Sequence, residues 1–222
     1  VPGQVFTLGV KFSITPGWHI YWHGLNDTGY PIKVVWDLPE GWSAGDLLWP
    51  SPRRYVSPGS ILDHVYEHEV TLLVPMTVTE DAAPGPVTLG ATVSCLACRE
   101  ACIPEEAAVT WRGTVASSGQ SEAGAEDVFS EVRELIPGPL PGHVRVELTP
   151  DSLDISAPGA SAMEFYPYLD CLPFANLIAD GSAQGPRLTL RRKPTQTPAA
   201  VSGVLKVVTE HGAEYYEVHQ SP

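Results

Sequence analysis

Val87-Thr88-Leu89-Gly90-Ala91-Thr92-Val93-Ser94-Cys95, then Leu96-Ala97-Cys98-Arg99-Glu100-Ala101-Cys102-Ile103-Pro104, then Ala107-Ala108-Val109-Thr110-Trp111, is the stretch from which the fold is read. Its first part alternates apolar with small or polar residues, the pattern of a strand with one buried face. Its last part resumes an apolar, strand-favouring run. Three of the four cysteines therefore sit at a strand-loop-strand corner, held by a scaffold and reachable by a partner.

The rest of the chain reads in the same way. Strands are expected at Val5–Ile14, Trp18–His23, Ile32–Leu38 and Val70–Val78, with a short edge at Asp46–Pro50. In the second, period two places Trp18, Ile20 and Trp22 on a core face, and His19, Tyr21 and His23 on a polar row facing solvent or a site. Ser51 to Glu69 shows scattered prolines and glycines without periodicity and reads as a long loop. Val128, Phe129, Val132, Leu135 and Ile136 recur at helical spacing before Pro137. Strand-like pieces follow around Val144–Leu148, Met163–Tyr166, Leu188–Leu190, Val204–Val208 and Tyr215–Val218. The 20 glycines and 22 prolines among 222 residues exceed the average share of about 12% for the two together, as many short strands and turns require. The expected fold is all-β: an immunoglobulin-like β-sandwich over 1–116, a linker with a short helix over 117–137, and a smaller β-sandwich over 138–222.

A formal net charge of -13 with scattered basic residues argues against nucleic acid. The short cluster Arg191-Arg192-Lys193 reads as a solvated strand end. No apolar run reaches the roughly 20 residues of a membrane span. The chain starts inside a strand lead-in and reads as a mature or excised fragment, expected to be monomeric. Four cysteines are too few for a disulfide scaffold, and their clustering favours chemistry or metal. No G-x-S-x-G elbow or glycine-rich phosphate cradle is present.

Gly17-Trp18-His19-Ile20-Tyr21-Trp22, Asp27-Thr28-Gly29-Tyr30-Pro31, Trp36-Asp37-Leu38-Pro39-Glu40-Gly41, Trp49-Pro50-Ser51-Pro52, Leu96-Ala97-Cys98 and Cys102-Ile103-Pro104-Glu105 together resemble the periplasmic N-terminal region of DsbD-type thiol:disulfide interchange proteins. The ScsB-like subgroup, with its larger N-terminal region, resembles the chain most. The strong motifs lie in the first half. The resemblance implies a thiol-disulfide oxidoreductase without a cofactor. It would take reducing equivalents from a thioredoxin-like domain, fed by a membrane electron-transfer domain, and pass them to periplasmic thioredoxin-like proteins. It also implies a periplasmic location, with tethering to the inner membrane in the full-length protein. Cys98 and Cys102 match the exchanging pair, with Cys102 forming the mixed disulfide and Cys98 resolving it. His19 and Tyr21 match the neighbouring strand, and Asp63, Val65 and Tyr66 match the segment that covers the sulfurs between encounters. Cys95 stands where relatives carry tryptophan, and Cys171 has no counterpart.

Each reading has a plainer rival. Cys95 shares the inward face with Val93 by alternation and reads as a small buried hydrophobe, although a redox or metal role, or a bridge to Cys171, stays open. Cys95-x-x-Cys98 lacks the helix start of a thioredoxin motif. His19 and Tyr21 either bond the sulfurs or form an exposed polar face. His64 and His68 could join the cysteines around copper or zinc, which makes a metal-handling or purely protein-binding module the alternative function. Arg99 favours thiolate, while Glu100, Glu105 and Glu106 oppose it, so a modestly reactive pair is expected.

Overall fold

In the computed structural model, residues 1–116, 118–119, 124–194 and 200–221 are described; the linker-like stretch 117–124 lies mostly outside them. More than half of the chain is strand, and the fold is all-β. In chain order the strands are β1 (Val5–Ser13), β2 (Ile20–Tyr21), β3 (Lys33–Asp37), β4 (Trp42–Ala44), β5 (Arg53–Ser57), β6 (Ile61–Tyr66), β7 (Glu69–Val78), β8 (Gly85–Cys98) and β9 (Cys102–Val115). Helix α1 (Ala125–Leu135) follows, then β10 (Gly138–Pro139), β11 (Arg145–Leu148), β12 (Ser152–Ser156) and β13 (Ala162–Pro167). Helix α2 (Leu177–Asp180) precedes β14 (Ser182–Gln184), β15 (Arg187–Arg191), β16 (Val201–Thr209) and β17 (Gly212–Gln220).

Two compact units divide these elements discontinuously. The first takes Val1–Tyr21, Tyr30–Pro50 and Tyr66–Arg133; the second takes Trp22–Gly29, Ser51–Val65 and Glu134–Pro222.

In the first unit, one sheet runs β1-β7-β4 and the other β3-β8-β9. Their side chains share a core in which Val74, Met76 and Leu89 are buried and Phe6, Trp36, Trp42 and Trp111 pack around them. The Phe6 ring meets Trp42 edge-on at 5.9 Å and Trp111 at 5.8 Å, so three of the tryptophans serve the core. Gly9 has no room for a side chain, because the Phe129 ring of α1 would lie 2.9 Å from its Cβ.

In the second unit, the sheet β10-β17-β16-β13-β14 and the sheet β11-β12-β15 contribute to one core built on Leu153, Ile155, Met163, Phe165, Leu190 and Leu205. Burial of these side chains, at about 25 cal/mol per Å² of apolar area removed from water, is what orders their strands.

Three readings change. Ser51 to Glu69 is not a loop but holds the hairpin β5–β6, turned by Gly59 at φ 92 and Ser60 at φ 62. Leu62 to Tyr66 are all buried, polar Asp63 and His64 included, which erased the alternation that marks a strand. Trp18 to His23 forms only a two-residue strand, and His19, Ile20, Tyr21 and Trp22 are all buried, so His19 and Tyr21 are no exposed row. The short edge lies at Trp42–Ala44, whereas Leu48 makes a single bridge to Leu73. Among the described residues no helix is long and apolar enough to cross a membrane.

Candidate redox site

β8 and β9 pair along their full length, from Gly85 with Val115 to Cys98 with Cys102, so the cysteine corner is a hairpin tip closed by Arg99-Glu100-Ala101. Cys98 and Cys102 form a disulfide, their Cα atoms 4.1 Å apart. The backbone explains the close approach. Cys98 N–H donates to the His19 carbonyl and His19 N–H donates to the Cys98 carbonyl, both at 2.9 Å. Those groups therefore point away from β9, and the cysteines form a non-hydrogen-bonded antiparallel pair, the type whose Cα atoms lie closest.

The two cysteines differ in access. Cys98 is 3% exposed, whereas Cys102 lies among the exposed residues that open β9. The Tyr21 hydroxyl is 3.9 Å from the Cys102 sulfur, and His19 Nε2 is 3.4 Å from that hydroxyl. Both side chains are buried, with their rings edge-on at 5.3 Å. The Arg99 guanidinium lies over the Trp18 ring at 5.6 Å, a cation–π contact absent from the sequence reading. Only the strand register brings these two residues together across the chain, so no local motif signals the contact.

The other expected residues have their own places. Asp63 is 2% exposed, and its carboxylate accepts from the Thr28 N–H at 3.0 Å and the Thr28 hydroxyl at 2.7 Å. Val65 is fully buried, and buried Tyr66 donates its hydroxyl to the Pro50 carbonyl. Sequence reading missed how Asn26 and Asp27 fix this region. Asn26 Oδ1 accepts from His64 N–H at 2.7 Å, and Asp27 Oδ2 accepts from Leu62 N–H at 2.6 Å. Their signal was the Asn-Asp pair, read only as turn chemistry. His64 is buried, its Nδ1 donates to the Leu25 carbonyl at 2.6 Å, and burial lowers its pKa to about 4.

Cys95 and Cys171 are free thiols, so no bridge joins them. Cys95 is only half-buried, because the covered face of the strand changes: Ala91 and Val93 are buried on one side, Leu96 and Cys98 on the other. Burial, and then Glu105, push its thiol upward. Burial pushes Cys171 up to about 11, although its sulfur accepts from Ser202 N–H at 3.4 Å. Among the described residues no three His, Cys, Asp or Glu side chains are placed to hold a metal ion.

An all-β protein with a disulfide at a hairpin tip, one cysteine open and one covered, belongs in the class of β-scaffolds that can present sulfur to a visiting thiol. Residues 1–111 match the family described as thiol:disulfide interchange protein DsbD, N-terminal, and the chain belongs to that family. Its fold is similar to that in the crystal structure of the N-terminal periplasmic domain of ScsB from Proteus mirabilis. The TM-score is 0.66 at 14% identity, over 99% of this chain and 89% of that one. No curated protein sequence matches significantly.

Proposed function

We propose that this chain is a periplasmic thiol-disulfide oxidoreductase module of two immunoglobulin-like sandwiches. It relays reducing equivalents from a membrane-linked, thioredoxin-like donor to periplasmic oxidoreductases, cycling Cys98 and Cys102 between dithiol and disulfide. The carrying observation is the asymmetry of the pair, with Cys102 exposed and Cys98 3% exposed. Family membership supports the exchange chemistry, and the similarity to a periplasmic ScsB domain supports the fold and location.

A donor thiolate attacks the Cys102 sulfur, the Cys98–Cys102 bond breaks, and its electron pair leaves on Cys98. A second donor thiolate then attacks the donor-side sulfur of the mixed disulfide. That step releases the Cys102 thiolate and leaves the donor oxidised and the module a dithiol. In the forward reaction, the Cys102 thiolate attacks an oxidised acceptor and Cys98 resolves the adduct. Tyr21 is placed to hydrogen-bond the Cys102 sulfur, and His19 to position that hydroxyl. The covering role of Asp63, Val65 and Tyr66 belongs to the same proposal and rests on the resemblance.

A Cys98→Ser variant tests the roles. Incubated with an oxidised thioredoxin-fold protein, it should accumulate a mixed disulfide at Cys102, mapped by peptide mass spectrometry. Accumulation instead in a Cys102→Ser variant would reverse the assignment.

A further inference from the structure

The hairpin carries a second feature beside the sulfurs. β9 is the edge of its sheet, and every residue from Cys102 to Thr110 is exposed, including Ile103 and Val109 at 44% each. Several of their partners on β8 are covered: Ala91, Val93, Leu96 and Cys98 are buried, while Thr92 is exposed.

The register fixes which backbone groups are free. Because Cys98 spends its N–H and C=O on His19, its partner Cys102 points its own away from β8. Alternation then turns Glu106, Ala108 and Thr110 outward as well. Pro104, which has no N–H to donate, also sits in this outward set, where a strand tolerates proline. Among the described residues no strand pairs with this edge. The open ladder begins at the very residue whose sulfur must meet a partner.

Charge narrows the occupant. Glu105 and Glu106 lie side by side in the run, and Glu100 is in the turn before it. Arg99 in that turn rests on Trp18, and Lys33 is separated from Glu106 by Ser94 of β8. Two copies pairing antiparallel about Glu106 would set carboxylate against carboxylate, which is destabilising. That register is disfavoured for a second copy of this chain, and two successive carboxylates favour a segment with basic side chains.

We propose that the redox partner docks by adding an extended, basic segment flanking its reactive cysteine as a new strand on the free edge of β9, from Cys102 to Thr110. This rests on the exchange reading above and names the surface that orients it. Backbone pairing at Cys102 positions the incoming thiol, and the Glu105-Glu106 pair selects it by charge.

The test uses synthetic peptides matched in length to the run, each with one cysteine, and 2-mercaptoethanol as a reference thiol. One peptide alternates valine with lysine, a second carries glutamate in place of lysine, and a third is the lysine peptide with N-methylated backbone at alternate positions. Rates of opening of the Cys98–Cys102 disulfide are read by acid quench and alkylation. The lysine peptide should react at least about tenfold faster than either control, corresponding to about 1.4 kcal/mol, and its advantage should shrink with salt. Ala108→Pro removes one outward N–H without touching the β8 ladder, and Glu106→Lys reverses the charge. Each should lower the ratio of the lysine-peptide rate to the 2-mercaptoethanol rate. Equal rates for all three peptides, or an unchanged ratio in both variants, would overturn the docking surface. Failure of every thiol, 2-mercaptoethanol included, to open the disulfide would instead overturn the exchange reading itself.

Discussion

Each unit holds a buried histidine edge-on to a buried tyrosine, and the two pairs lead to different ends. In the first unit, His19 and Tyr21 stand 5.3 Å apart, and the tyrosine hydroxyl reaches toward the sulfur of an exposed cysteine. In the second, His64 and Tyr166 stand 5.5 Å apart, and the tyrosine donates to Glu164 while Trp22 closes over the histidine. The sulfur in that second unit, Cys171, is held as a thiol by burial. Similar side chains thus lead in one unit toward an exposed cysteine and in the other to a carboxylate. A sulfur must be both reachable and ionisable to exchange; Cys102 is exposed, whereas burial holds the Cys171 thiol up at about 11.

Removing one sulfur from each region should separate them most sharply. Cys102→Ser should abolish exchange with glutathione, while Cys171→Ser should leave its rate within about twofold, since a thiol held well above neutral pH contributes little thiolate. Insulin reduction or a glutathione alkylation assay reads both; comparable losses in the two variants would break the contrast.

Acid should act next on the second unit. In the unfolded chain a histidine takes its proton below about pH 6.5. His64, chiefly through burial, resists until about 4, and His23 does the same. The unfolded state therefore binds more protons across this window. The stability present above pH 6.5 is lost as pH falls toward 4, by about 3 kcal/mol for His64 alone. Urea unfolding at pH 7 and pH 4.5, with the disulfide intact, measures the drop. A flat profile would mean that the histidine is hydrated.

The smallest effect belongs to the open region. Tyr21→Phe keeps the ring and deletes the hydroxyl beside Cys102, a loss of about 1 kcal/mol or roughly fivefold in exchange rate. Stopped-flow kinetics with glutathione would detect it, and an unchanged rate would make Tyr21 a packing residue.

How much of this was legible follows from local pattern. The strand-turn-strand corner was legible because β8 alternates and β9 resumes a strand-favouring run at Ala107. The pairing runs on through the stretch that read as a loop: Cys95 lies inside β8, and only Arg99-Glu100-Ala101 form the turn. Asp63 and His64 broke the pattern of β6 because buried polar side chains, Asp63 accepting from Thr28 and His64 donating from Nδ1 to the Leu25 carbonyl, look like surface ones in a sequence. The row Trp18 to His23 misled for the converse reason: both of its faces are covered. Cys95 escaped a simple assignment because the buried face of β8 changes sides beside it. Family resemblance marked Cys98 and Cys102, but their unequal exposure depends on packing that no local motif encodes.

Redox titration of the whole protein in glutathione buffers reads the state of all four cysteines at once, by differential alkylation and mass spectrometry. Cys98 and Cys102 should change together as a two-electron pair while Cys95 and Cys171 remain thiols throughout. A Cys98–Cys102 pair that never changes state, or that changes only after the protein is unfolded, would contradict it.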